Sequence, residues 1–259
     1  MLLPLVDHNP TRRPAIVTML LIAACVAIYF FVQNPDLQTA ALGPQTNTDK
    51  VHQVEFTYQQ AAIPCEVVTG QPLTPTEIQT GQCHRHDTEA PVFPTKHPWL
   101  AIFVSMFLHG SLLHLGGNML FLWVFGNNIE DVEGHVKYLA FYLVAGVLAT
   151  LTHIVLQPSS TTPLVGASGA IAGVMGAYLV LFPRVRIKSL IFLIFVWVRD
   201  IEARWLLGFW FVSQFFVNPN SGVAWAAHVG GFVFGVLVGL VLRAARRRQD
   251  PLPPPYAYA

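Results

Sequence analysis

Charge is what this chain has least of. Only 11% of its 259 residues are Asp, Glu, Lys or Arg, where a soluble domain carries about 25%. That excludes a disordered chain and an ordinary soluble enzyme. The net charge is +1, so no basic face is offered to nucleic acid. Three cysteines are too few for a disulfide framework. Apolar residues are abundant instead, at 53% of the chain with a mean hydropathy of +0.50. The composition points to an integral membrane protein, and the length suits one bundle of membrane helices.

A spanning helix needs about 20 apolar residues. Six stretches come near this: 15–32, 112–129, 138–156, 165–183, 205–217 and 223–242. Arg12 and Arg13 precede the first, as in a signal peptide. Its apolar run exceeds the usual h-region of about 7–15 residues and lacks a clear cleavage site, so it reads as a retained span. Two apolar stretches are too short to span: 99–108, and 189–198, which reads as an interfacial or partial segment. The predicted class is all-α, a polytopic bundle of six helices. Its parts are a cytoplasmic N-terminus (1–14), a first span (15–32), a long extracytoplasmic loop (33–98), a core with five further spans (99–242) and a Pro/Arg-rich tail (243–259).

Sidedness follows from Lys and Arg. With the N-terminus inside, twelve of them fall inside and only Lys50, Arg85 and Lys96 fall outside. This bias predicts a multi-pass protein of the cell membrane with both termini in the cytoplasm.

All 14 Asp and Glu residues lie outside the six spans. The polar side chains within the spans are therefore informative, because embedded polar groups are costly and often functional. They include His114 and Asn118 in the second span, His153 in the third, Ser168 in the fourth, Ser213 and Gln214 in the fifth, and His228 in the sixth; His109 lies just ahead of the second. At about 1.5 Å per residue, Ser168 lies roughly 24 Å above Arg184, and His228 roughly 22 Å above Arg243. His114 and Asn118 lie roughly 24 and 18 Å above Glu130. In a hydrocarbon layer of about 30 Å, these four share one level in the outer half.

His114 and Asn118 are spaced i, i+4 and share a helix face. Small residues at Gly169/Gly173 and Gly231/Gly235/Gly239 let the fourth and sixth helices approach closely. If those faces meet, Ser168 and His228 meet at one height. A serine hydroxyl becomes a useful nucleophile when a base takes its proton, and neutral imidazole does this near neutral pH. No embedded carboxylate completes a triad, so the expectation is a dyad. Asn118, His114 and the backbone N–H of Ser168 are the candidate oxyanion donors. Gly166 and Gly169 leave room beside Ser168 for a substrate backbone. His109 and His153 read as structural hydrogen-bonding residues, and the glycine ladders as packing.

Four blocks carry a resemblance over about residues 99–242. They are His109-Gly-Ser-Leu-Leu-His114-Leu-Gly-Gly-Asn118, Gly126-Asn-Asn-Ile-Glu130-Asp-Val-Glu-Gly134, Gly166-Ala-Ser168-Gly169-Ala-Ile-Ala-Gly173 and Ala227-His228-Val-Gly230-Gly231. In order, spacing and hydropathy they resemble the rhomboid family of intramembrane serine proteases. The resemblance implies Ser168 as nucleophile, His228 as general base, and His114 and Asn118 as oxyanion-hole residues. It implies a water-filled cavity open to the outside, transmembrane protein substrates cut near the outer leaflet, a lipid-bilayer setting and no cofactor. It also implies that 99–111 is the membrane-embedded part of the first loop. The alternative is a catalytically inactive relative that binds membrane clients. Departures lie in the loop at 33–97, which is long and holds Cys65 and Cys83. These are free to form a disulfide, to bind a metal with His84 and His86, or to stay unpaired.

Overall fold

Helix dominates this chain because in a bilayer each apolar run must satisfy its own backbone groups, and a helix does so within one segment. The computed structural model describes residues 2–33, 47–84, 89–192, 196–218 and 222–249. The tail beyond 250, the middle of the turn at 218–222, and Arg85 and His86 fall outside these residues.

Strand β1 (Leu2–Asp7) precedes α1 (Ile16–Gln33), whose last turn and a half from Ile28 is wound as π-helix. The loop contains α2 (Asn47–Gln60), α3 (Pro64–Thr69) and α4 (Pro75–Thr80), followed by α5 (Pro98–Ser105). Then come α6 (Leu112–Glu133), α7 (His135–Leu156) and α8 (Ser168–Leu181). A hairpin of β2 (Arg186–Phe192) and β3 (Val196–Glu202) leads to α9 (Ala203–Ser213), a 3-10 turn (Gln214–Phe216) and α10 (Trp225–Gln249). Among the described residues, three helices are long and apolar enough to cross a membrane: Ile16–Gln33, His135–Leu156 and Trp225–Ala245. The sequence predicts six spans. The difference has a cause in each remaining helix: α6 has 22 residues but carries Asn118, Asn127, Asn128 and Glu130, while α8 and α9 have only 14 and 11 residues.

Helix α8 is the centre of the bundle, packed on α6, α7, α9 and α10. Every residue from Gly169 to Tyr178 is buried. Its contact with α10 is backbone on backbone. A methyl group on Gly231 would lie 2.1 Å from the Gly169 carbonyl oxygen, and one on Gly235 would lie 1.8 Å from that of Gly173. Side chains pack the other faces, with Phe125, Tyr138, Tyr142 and Tyr178 fully buried.

The sheet departs from the all-α expectation. Its antiparallel order is β1-β2-β3, so the segment read as an interfacial piece forms parts of two strands. Alternation explains it: Ile187 and Ser189 are buried, while Arg186 and Lys188 between and beside them are exposed. Pro4 sits on the edge strand, beside a shift in register, where a missing ladder donor is tolerated. Asp7 anchors β1, accepting hydrogen bonds from Asn128 Nδ2 at 2.5 Å and the Tyr178 hydroxyl at 3.0 Å. Burial pushes the Asp7 carboxyl up to about 6 against these bonds.

The long loop is also ordered where described, and not merely polar chain. Cys65 and Cys83 form a disulfide, which uses both thiols of the metal alternative. Lys96 Nζ lies 2.5 Å from Glu66 Oε2, and both side chains are almost fully buried. Burial raises the Glu66 carboxyl and lowers the Lys96 ammonium, and each charge opposes that shift in the other. The unit docks on the core by backbone bonds from Cys65 N–H to Ser160 O and from Leu164 N–H to Ala62 O.

Candidate active site

The site is built where short α8 begins. Gly166 has φ +125, a left-handed conformation that favours glycine, and its N–H donates to the Ser105 carbonyl at 2.9 Å. That fixes the turn delivering Ser168 as the first residue of α8. The helix N-terminus supplies unpaired N–H groups and the positive end of the helix dipole to this point. His228 sits in the first turn of α10, and the glycine contacts hold α10 against α8.

The structure brings Ser168 and His228 together. His228 Nε2 lies 2.8 Å from Ser168 Oγ, and both side chains are part-buried. His114 and Asn118 project from α6 toward the same place. A methyl on Gly166 would sit 2.9 Å from His114 Nε2 and 3.5 Å from Asn118 Nδ2. Asn118 is buried and its Nδ2 donates to no acceptor among the described residues. The first turn of α6 is capped by Ser111, whose Oγ accepts from His114 N–H at 3.1 Å. So all four chemistry-bearing side chains from the sequence converge around Gly166 and the start of α8. The set has the parts that acyl transfer uses: a hydroxyl, an imidazole in contact with it, and polar side chains beside them.

His109 is fully buried and stacks edge-on against His114, with ring centroids 5.3 Å apart. Its backbone is clamped by Gln33, which donates to His109 O at 2.6 Å and accepts from its N–H at 3.0 Å. His153 is buried on α7. Two further groups touch the site for which the sequence assigns no role. Gln214 Oε1 lies 2.7 Å from His228 Nδ1, and the Trp210 ring lies 5.7 Å from the His228 ring. The available signal was a polar Gln beside Ser213 near the end of the fifth span.

A model of the Rhomboid domain matches residues 96–245, more than half of the chain. The chain belongs to the rhomboid family. It is therefore a membrane protein, of a family that acts on membrane-protein substrates. Among relatives, it is 32% identical to the mitochondrial Rhomboid protein 1 of Saccharomyces cerevisiae, over 58% of this chain and 44% of that protein. It is 32% identical to the mitochondrial Presenilin-associated rhomboid-like protein of Bos taurus, over 52% of this chain and 36% of that one. It is 37% identical to the Rhomboid protease GluP of Bacillus subtilis, over 31% of this chain and 15% of that one. The matched rhomboid segment spans less than half the length of each of these relatives.

Proposed function

We propose that this rhomboid protein is an intramembrane serine endopeptidase that cuts transmembrane segments of other membrane proteins through Ser168 and His228. The observation that carries the reading is the 2.8 Å contact between His228 Nε2 and Ser168 Oγ in a chain of this family. His228 takes the Ser168 proton as Oγ attacks the scissile carbonyl. Asn118 Nδ2, His114 Nε2–H and the Ser168 backbone N–H donate to the oxyanion. The imidazolium then protonates the leaving amine, and water activated by the same base releases the acyl group.

In the proposed topology α1, α6, α7, α8, α9 with its 3-10 turn, and α10 all cross the bilayer. At about 1.5 Å per residue, α8 is roughly 21 Å long against a layer of about 30 Å. If its Leu181 end lies at the charged inner boundary near Arg184, Ser168 lies roughly 9 Å below the outer surface. The shortness of α8 thus supports a site sunk in the outer leaflet and reached by water from above. The Lys/Arg excess supports both termini on the cytoplasmic side of a cell membrane. The yeast and bovine relatives are named as mitochondrial.

The test is covalent labelling with a fluorophosphonate, a small isocoumarin as second probe, and cleavage of a generic transmembrane substrate read by fragment mass. An adduct on Ser168 that is lost in His228→Ala, with cleavage lost in Ser168→Ala and in His228→Ala, is expected. No adduct with either probe and no cleavage would replace the enzyme with a client-binding relative.

A further inference from the structure

Gln214 makes a contact for which the dyad has no use as described. Its side chain is buried, at 6% exposure, in the 3-10 turn that ends α9. The direction of its amide is fixed by chemistry. Nε2 donates to the Trp210 carbonyl at 3.0 Å and to Ser213 Oγ at 3.2 Å. Turning the amide over would point Oε1 at the Trp210 carbonyl, two acceptors without a proton between them. Oε1 therefore faces His228 Nδ1, at 2.7 Å.

An amide oxygen only accepts, so His228 Nδ1 must donate. In a neutral imidazole with one proton, Nε2 is then the bare nitrogen. That nitrogen is the one 2.8 Å from Ser168 Oγ. The chain Trp210 O, Gln214 amide, His228 ring, Ser168 hydroxyl is a single directed relay of donors and acceptors. We propose that Gln214 is a positioning residue that holds His228 in the Nδ1–H tautomer and aims its Nε2 lone pair at Ser168. It has the geometric role of the acidic third member of a soluble triad, but as a neutral group. It orients the base without adding a charge to a low-dielectric site, where an unpaired carboxylate is expensive. Because Gln214 lies on α9, the proposal also couples that helix to the competence of the base. The catalytic part rests on the protease reading; the tautomer does not.

The experiment uses the full chain in detergent, labelled with ¹⁵N-histidine, with the His228 signals assigned by their loss in His228→Ala. Wild type is expected to show the Nδ1–H tautomer at His228. Gln214→Met keeps the length but not the acceptor, and should lose that tautomer. Gln214→Glu keeps an oxygen at the same reach and should restore it. In cleavage assays Gln214→Met should lower kcat about 10²-fold with KM unchanged, less than the about 10⁴ lost with the wrong tautomer in a carboxylate triad. Gln214→Glu, neutral in this site so that its proton meets the Trp210 carbonyl, should recover most of that loss at a lower melting temperature, while Gln214→Met melts close to wild type. An Nε2–H tautomer in wild type, or an unchanged tautomer and kcat in Gln214→Met, overturns the proposal. A wild-type chain that shows the Nδ1–H tautomer yet neither cleaves nor takes a probe defeats the protease reading alone.

Discussion

The α8–α10 contact can be broken with one methyl group. Replacing Gly235 by Ala puts Cβ 1.8 Å from the Gly173 carbonyl oxygen, 2.6 Å from its carbon and 2.8 Å from its Cα. Ordinary contact begins near 3.4 Å, so the helices must part by roughly 1.6 Å at this level. Neither side offers a flexible group that can swing away, since the obstruction is backbone. The cost therefore belongs at or above the top of the about 1–3 kcal/mol range for overpacking. His228 lies seven residues, or roughly 10 Å, along the same helix, and its Nε2 must stay 2.8 Å from Ser168 Oγ. A shift of this size breaks that hydrogen bond, and misplacement by about 1 Å costs about 10² in rate.

The assay pairs melting temperature in detergent with the cleavage rate of the folded fraction. Gly208→Ala is the control, because among the described residues no atom beyond its own stretch of helix lies within 4 Å of a methyl placed there. It should be neutral, or stabilising by the about 0.5–1 kcal/mol of helix preference. Gly235→Ala should lower both the melting temperature and the rate. Wild-type values for both in Gly235→Ala would refute the backbone-to-backbone packing, and with it the account of how His228 reaches Ser168.

Asn118→Ala should slow cleavage about 10²–10³-fold without abolishing it, as one oxyanion donor of several is lost; an unchanged rate in a single-turnover assay would remove Asn118 from that role. Lys96→Met strands the Glu66 carboxylate in a buried site and should cost about 3–5 kcal/mol, read as a lower melting temperature or earlier proteolysis of the 47–97 unit; no change would mean that water replaces the ammonium. For Asp7 the folded carboxyl titrates at about 6, above its ordinary 3.8. Its contribution is therefore full below about pH 4 and lost as pH rises through 6. Hydrogen exchange at the β1 amides, corrected for intrinsic rates, should be slower at pH 4.5 than at pH 7.5, and Asp7→Asn should flatten the difference. The same pH dependence in Asp7→Asn would assign it to another group.

The long apolar helices were legible because hydropathy over about 20 residues is a strong signal. The sheet was not. Its strands have seven residues or fewer, and β1 reaches its partner across more than 170 residues of sequence. A seven-residue strand is too short to stand out from an interfacial helix by apolar content alone. The end of α6 shows a related limit. The apolar stretch stops at 129, before Glu130, yet the helix runs on to Glu133 and Glu130 is fully buried within it. It accepts from Val17 N–H and Thr18 N–H at 2.8 Å and from the Thr18 hydroxyl at 2.7 Å. Ala15 gives α1 no side-chain cap, so Glu130 caps it from another helix. Such a partner cannot be read from local sequence.

The site divides in the same way. Ser168, His228, His114 and Asn118 stood out because each is polar at one depth in apolar surroundings, and depth is additive along a helix. Azimuth and loop geometry are not. Gln214 and His228 are separated by a turn whose path hydropathy does not fix, so the Gln was visible but its neighbour was not. In soluble proteins the third member of such a set is a carboxylate. Beneath a membrane surface the criterion changes. A buried anion must be paired or it shifts to its neutral form, whereas an amide is neutral at every pH and still supplies an acceptor. Gln214 also spends its own donors on Trp210 and Ser213, so no buried N–H is left unpaired. In a chain with so few charges, a side chain that orients imidazole without bringing one is the less costly solution.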